Sequence, residues 1–231
     1  MITSTARRRD AGLLTMAVVL AAAFFLAPLL LGPGRRDDFP RAFVAYWSAG
    51  GGPDFPPGLQ HLVDHQFRDH LMRVVIAVPL LAVLMALAVR LRRFRLPIGA
   101  LGFAAAVLLI ANVQGAVSPF GTLLPILASG PADAGLAAVL VQVRDQLTNG
   151  PVSPALDVML DEYVRWHVVK AVLVGLLAAV LVGLSVLAWR RRRLFSLLTA
   201  VPAVAALVVV AANVTTVANP VPPFLLLLQG S

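Results

Sequence analysis

The chain has 231 residues, of which 59% are hydrophobic and 13% charged, with no cysteine and a formal net charge of +8. A soluble domain carries about 25% charged residues, so a polar shell around one large soluble core is excluded. The missing thiol removes disulfides, thiolate metal sites and cysteine catalysis.

The charges are clustered, which leaves uncharged runs at Ala11–Leu31, Val74–Val89, Leu96–Ala132, Ala171–Trp189 and Leu194–Ser231. A helix crosses a bilayer core with about 20 apolar residues. The expected fold is therefore all-α: a single polytopic membrane domain over residues 1–231 with five transmembrane helices. Nucleic acid is excluded as a partner by where the positive charge lies. Arg7–Arg9, the group Arg90, Arg92, Arg93 and Arg95, and Arg190–Arg193 place 11 basic residues beside one acid, Asp10, on one side of the spans; the other side holds 8 basic and 10 acidic residues. Basic short loops stay cytoplasmic. The expected topology is a cytoplasmic N-terminus, five passes and an outside C-terminus. Only Lys170 among the 19 basic residues is lysine. That bias reads as a GC-rich bacterial genome, hence a bacterial plasma membrane, and the first partner is the lipid bilayer.

In chain order, Arg7-Arg-Arg precedes an apolar run too long for a signal-peptide core, so residues 11–31 are read as an uncleaved first span ending near Leu26-Ala-Pro28. Residues 33–70 form a first outer segment. There, Phe39 to Trp47 reads as a short interfacial helix with Phe43, Tyr46 and Trp47 at headgroup level; Gly50-Gly-Gly-Pro53 breaks it, and Leu59 opens an amphipathic helix that runs into the second span. Pro79 lies inside that span. A basic turn leads to the third, from about Pro97 to Val117. Residues 118–166 form a second outer segment on the same plan, with a helix-like Leu136–Leu147 and breakers at Asn149-Gly-Pro151 and Pro154. The fourth span ends at Trp189, the fifth runs from about Phe195 to Val217, and a proline-stiffened tail is expected in the outer interface.

Two stretches echo each other. At an offset of 97, Asp64 falls on Asp161, Arg68 on Arg165, His70 on His167 and Arg73 on Lys170, with four of twelve positions identical between Asp64–Val75 and Asp161–Val172. Ala111-Asn112-Val113 with Pro119 is matched by Ala212-Asn213-Val214 with Pro220. The expected plan is two parallel helical-hairpin repeats, residues 64–120 and 161–221, related by a pseudo-twofold axis along the membrane normal.

The polar concentration of the chain lies at the outer mouth of these hairpins. His70 with Arg73, and His167 with Lys170, stack one turn apart, and Asn112 and Asn213 are expected at a comparable depth on neighbouring helices. Polar groups in lipid must find partners. The two readings are interhelical glue, or a small outer pocket made of His70, Arg73, Asn112, Arg165, Trp166, His167, Lys170 and Asn213 that holds a headgroup or an oxygenated lipophile. His61, His65 and Asp69 share one helix stripe and form a candidate zinc-type site; the bland alternative is a pH-sensitive interfacial helix. No acidic residue lies inside any predicted span, which argues against an ion-coupled pump. GxSxG, P-loop and HExxH motifs are absent, and no cofactor is expected.

Ala111-Asn-Val-Gln-Gly-Ala-Val-Ser-Pro119 closing the third span, and Tyr163-Val-Arg-Trp-His-Val-Val-Lys170 opening the fourth, resemble the anthrone-oxygenase-like family of small four-helix membrane proteins over residues 97–190. The chain departs in Lys170 for arginine, in a looser turn, in Trp166 standing directly beside His167 and in an added fifth span. The resemblance implies cofactor-independent oxidation of a polyphenolic lipophile, with Asn112, Trp166 and His167 near the substrate. The composition alone points instead to an accessory, scaffold or lipid-contacting subunit, working with another membrane protein or a second copy of itself.

Overall fold

In the computed structural model, residues 2–32, 36–129, 133–189 and 193–229 are described. Arg35 and most of the last basic cluster, Arg190–Arg192, lie outside them. Every regular element among the described residues is helical: α1 (Ile2–Leu26), α2 (Phe39–Ser48), α3 (Pro57–Arg90), α4 (Arg95–Val117), α5 (Ile126–Ser129), α6 (Ala134–Asn149), α7 (Pro154–Trp189), α8 (Arg193–Ala218) and α9 (Val221–Gln229), with short 3-10 turns at Ala27–Leu31, Arg36–Asp38 and Arg92–Phe94. Five stretches are long and apolar enough to cross a membrane: Arg7–Leu31, Pro57–Arg90, Arg92–Val117, Pro154–Trp189 and Ser196–Ala218. The expected amphipathic lead-ins are continuous with their spans. α3 and α7 each run unbroken from the outer segment through the apolar stretch, and α3 continues through Pro79.

The chain divides into two compact units, residues 1–34 with 64–116 and residues 35–63 with 117–231. In the first unit, α1, α3 and α4 share a small core of Ala17, Leu80, Val83, Leu84, Leu87, Ile98 and Ala105. Arg90 Nε donates to Asp10 Oδ1 at 2.6 Å, tying α3 to α1 at the basic end. The faces turned away from this core carry bare aliphatic and aromatic side chains, Phe25 65% and Leu30 85% exposed among them. Apolar faces of that extent suit lipid, not water.

The second unit has a different interior. Its core is aromatic, with Phe39, Phe43, Tyr46, Trp47, Phe120 and Phe224 packed among Leu59, Leu124, Leu136, Leu156 and Met159. The aromatic side chains of α2, expected among headgroups, are instead packed against protein. Phe39, Phe43, Tyr46 and Trp47 follow a helical period, so one face of α2 is wholly apolar, and that face is buried in protein, with Phe39 and Phe43 fully covered. Phe55 stacks on Phe120 with ring centroids 4.8 Å apart, and Trp47 Nε1 donates to Gln142 Oε1 at 2.8 Å. Tyr46 O–H donates to the Gly52 carbonyl at 2.5 Å and accepts from the Gly52 N–H, closing the turn after α2. Burial pushes its phenol above the ordinary tyrosine range, against the opposing Gly52 N–H. Asp133 caps α6 by accepting from the Leu136 N–H. The proline-stiffened tail forms α9, Phe224 and Leu228 sit in the aromatic core, and Arg144 donates to the Leu228 carbonyl. α7 and α8 pack side by side. At their far end Ser185 and Ser196 bond reciprocally, each hydroxyl reaching the other's carbonyl at 2.9–3.0 Å.

Candidate functional site

Two histidine–asparagine pairs organise the polar ends of the long helices. In the first unit, His70 on α3 meets Asn112 on α4, with Nδ1 to Oδ1 at 3.0 Å. The Asn112 amide nitrogen donates to the Leu108 carbonyl at 2.7 Å. That fixes Oδ1 as an acceptor and makes His70 Nδ1 the N–H donor, an assignment from the network. The other ring nitrogen, Nε2, then carries a lone pair and takes the Gln66 amide at 2.9 Å. Close approach is possible because Gly115 faces the ring: a Cβ there would lie 2.4 Å from His70 Nε2.

In the second unit the same atoms meet again. His167 Nδ1 on α7 lies 2.7 Å from Asn213 Oδ1 on α8, and Asn213 Nδ2 donates to the Val209 carbonyl at 2.7 Å. The tautomer argument repeats, so in the neutral ring Nε2 is the bare acceptor. Here the pairs part company. Four residues before His70 stands Gln66; four residues before His167 stands Tyr163. The Tyr163 ring meets His167 edge-on with centroids 4.5 Å apart and packs its other side on Phe224. His167 Nε2 is buried with no hydrogen-bond partner among the described residues.

The remaining sequence candidates are distributed around these pairs. Trp166 meets His167 at 4.9 Å, edge to face. The Lys170 ammonium sits 4.8 Å over the Trp166 ring, and no carboxylate among the described residues lies within ion-pair distance of it. Arg73 pairs with Asp69 at 3.3 Å and lies over Phe24, so it leaves His70 to Gln66 and Asn112. Arg165 Nη1 donates to Glu162 Oε1 at 2.6 Å on an exposed face, one turn back along α7. His61 is exposed and the buried Asp69 faces Arg73; among the described residues no three His, Asp or Glu side chains gather as a metal site requires. Sequence reasoning missed Gln66, Tyr163 and the Ser118 hydroxyl, which lies 2.9 Å from the Glu162 carbonyl and 2.8 Å from its carboxylate. The first two were findable, since a residue four before each histidine must face it.

These features define a helical protein whose long helices suit a membrane and carry two interhelical His–Asn pairs. Comparison with protein-family models, with curated proteins and with solved structures finds no match.

Proposed function

We propose that the chain is an integral protein of a bacterial plasma membrane, N-terminus inside and C-terminus outside, that serves as an accessory or scaffold subunit contacting lipid and a membrane partner. The observation that carries this reading is the way the collar is spent. His70, Asn112 and Gln66 satisfy one another, and Arg73 and Arg165 are taken by carboxylates. The His70–Asn112 bond joins two helices, the arginine pairs lie within single helices, and groups committed in this way leave little reactive surface. The matching His–Asn geometry in the two units supports the view that residues 64–120 and 161–221 are copies of one ancestral hairpin. The test is native mass spectrometry after extraction in mild detergent. The expected species is the chain with a partner protein or a second copy. A bare monomer, in which a non-lipid small molecule is retained by the wild type and lost with His167→Ala, would overturn it.

A second reading is favoured by one observation, the unpartnered His167 Nε2. A free imidazole nitrogen can draw a proton from a phenolic substrate, which is the role it would have in a small membrane enzyme of the anthrone-oxygenase-like kind. On that reading His167→Ala abolishes oxygen uptake with an anthrone substrate, and Asn112, already committed to His70 and Leu108, has only a supporting role.

A further inference from the structure

His167 Nε2 and the Lys170 ammonium are both unanswered, and they stand one turn apart on the same face of α7. A buried acceptor without a donor is costly, and native proteins rarely keep one without a use. A buried tyrosine, Tyr163, stands where a glutamine silences the corresponding nitrogen of His70. Among the described residues Lys170 has no hydrogen-bond or ion-pair partner and lies over the Trp166 ring, and a ring face leaves the ammonium's hydrogen-bond donors unused. The missing partner must supply one hydrogen-bond donor for His167 and one anion for Lys170. An indole beside that lysine is the residue type found at headgroup level.

We propose that His167 and Lys170 form a binding site for an anionic, hydroxyl-bearing lipid headgroup of the phosphatidylglycerol class. The phosphate pairs with Lys170, and a glycerol hydroxyl donates to His167 Nε2. Of the two rings against His167, Tyr163 is buried on Phe224 while Trp166 is partly exposed. The hydroxyl approaches from the Trp166 side, the more exposed of the two. This site rests on the membrane reading above and adds the ligand to it.

The test uses the full chain in mild detergent, offered equimolar phosphatidylglycerol, phosphatidylmethanol and phosphatidylcholine, with retained lipid read by native mass spectrometry. Phosphatidylmethanol is a phosphate diester of the same single charge without the glycerol hydroxyls. The wild type should retain phosphatidylglycerol roughly tenfold over phosphatidylmethanol, the worth of one good hydrogen bond, and both over phosphatidylcholine. Tyr163→Gln sets an amide against Nε2, as Gln66 does for His70, and should erase the preference between the two anionic lipids while leaving both ahead of phosphatidylcholine. Tyr163→Phe keeps the ring and the open nitrogen and should behave as wild type, which separates the effect from damage to packing. Lys170→Gln should erase the advantage of both anionic lipids. Equal retention of the two anionic lipids by the wild type, or unchanged selectivity in Tyr163→Gln, overturns the site. So does displacement by soluble glycerol 3-phosphate at matched concentration, which would make the ligand a free polyol phosphate. The membrane reading fails separately, if the chain stays dispersed without detergent.

Discussion

Gly50 and Gly51 both hold positive φ, at 91° and 58°, in the turn that ends α2. Their surroundings differ. A Cβ on Gly50 meets open space, whereas one on Gly51 would lie 2.2 Å from the Ala155 Cβ and 2.7 Å from its Cα, at the start of α7. Gly50→Ala therefore carries only the left-handed penalty, about 1–2 kcal/mol. Gly51→Ala adds a collision with helix backbone that cannot rotate away, for a total of roughly 3 kcal/mol or more. Unfolding titrations of the two variants in detergent should rank them in that order; equal losses would mean that α7 yields at Ala155. The sequence marked Gly50-Gly-Gly-Pro53 as a breaker, because glycine and proline act locally. Which glycine is pinned depends on a residue far along the chain, and no local pattern carries that. The same limit applied at the candidate site. His70, His167, Asn112 and Asn213 were legible as polar groups near the ends of apolar runs, but the contrast between Gln66 and Tyr163 acquires meaning only once the Nδ1 side of each ring is known to be committed.

At the scale of helices, the His70–Asn112 pair joins α3 to α4. Asn112→Leu strands the His70 Nδ1 hydrogen in an apolar setting, a penalty of about 1–3 kcal/mol. His70→Leu strands the Asn112 oxygen in the same way. Replacing both removes the unsatisfied groups together, so the double variant should lose less than the sum of the singles. Denaturant titration in micelles measures the coupling. Strict additivity would show that the two side chains do not depend on each other and would remove the glue reading for this unit. Helix existence itself was readable, because long uncharged runs admit few other structures in lipid. The destination of α2 was not. An aromatic helical face fits a headgroup layer or a protein core equally well by composition, and the choice fell to Phe55, Phe120 and Phe224, contributed by three separate stretches.

For the whole chain, the decisive quantity is the placement of charge. The five apolar stretches separate basic from mixed segments, and moving a basic segment across a bilayer is what the positive-inside bias opposes. The natural absence of cysteine makes the arrangement directly testable, since any single introduced thiol is the only one present. Phe94, in the basic turn before α4, and Val152, before α7, are 53% and 52% exposed, so a cysteine at either is reachable and neither substitution alters a charge. A membrane-impermeant maleimide applied to intact spheroplasts should label Val152→Cys and spare Phe94→Cys, and permeabilised spheroplasts should show both labelled. The reverse pattern would invert the topology and place the His–Asn pairs on the cytoplasmic side, where the bilayer still offers anionic headgroups to Lys170. Labelling of both sites in intact spheroplasts would put the turn between α3 and α4 on the same side as Val152. A single full pass by α4 between the two sites would then be impossible, and α4 would have to be re-entrant or surface-lying despite its apolar length.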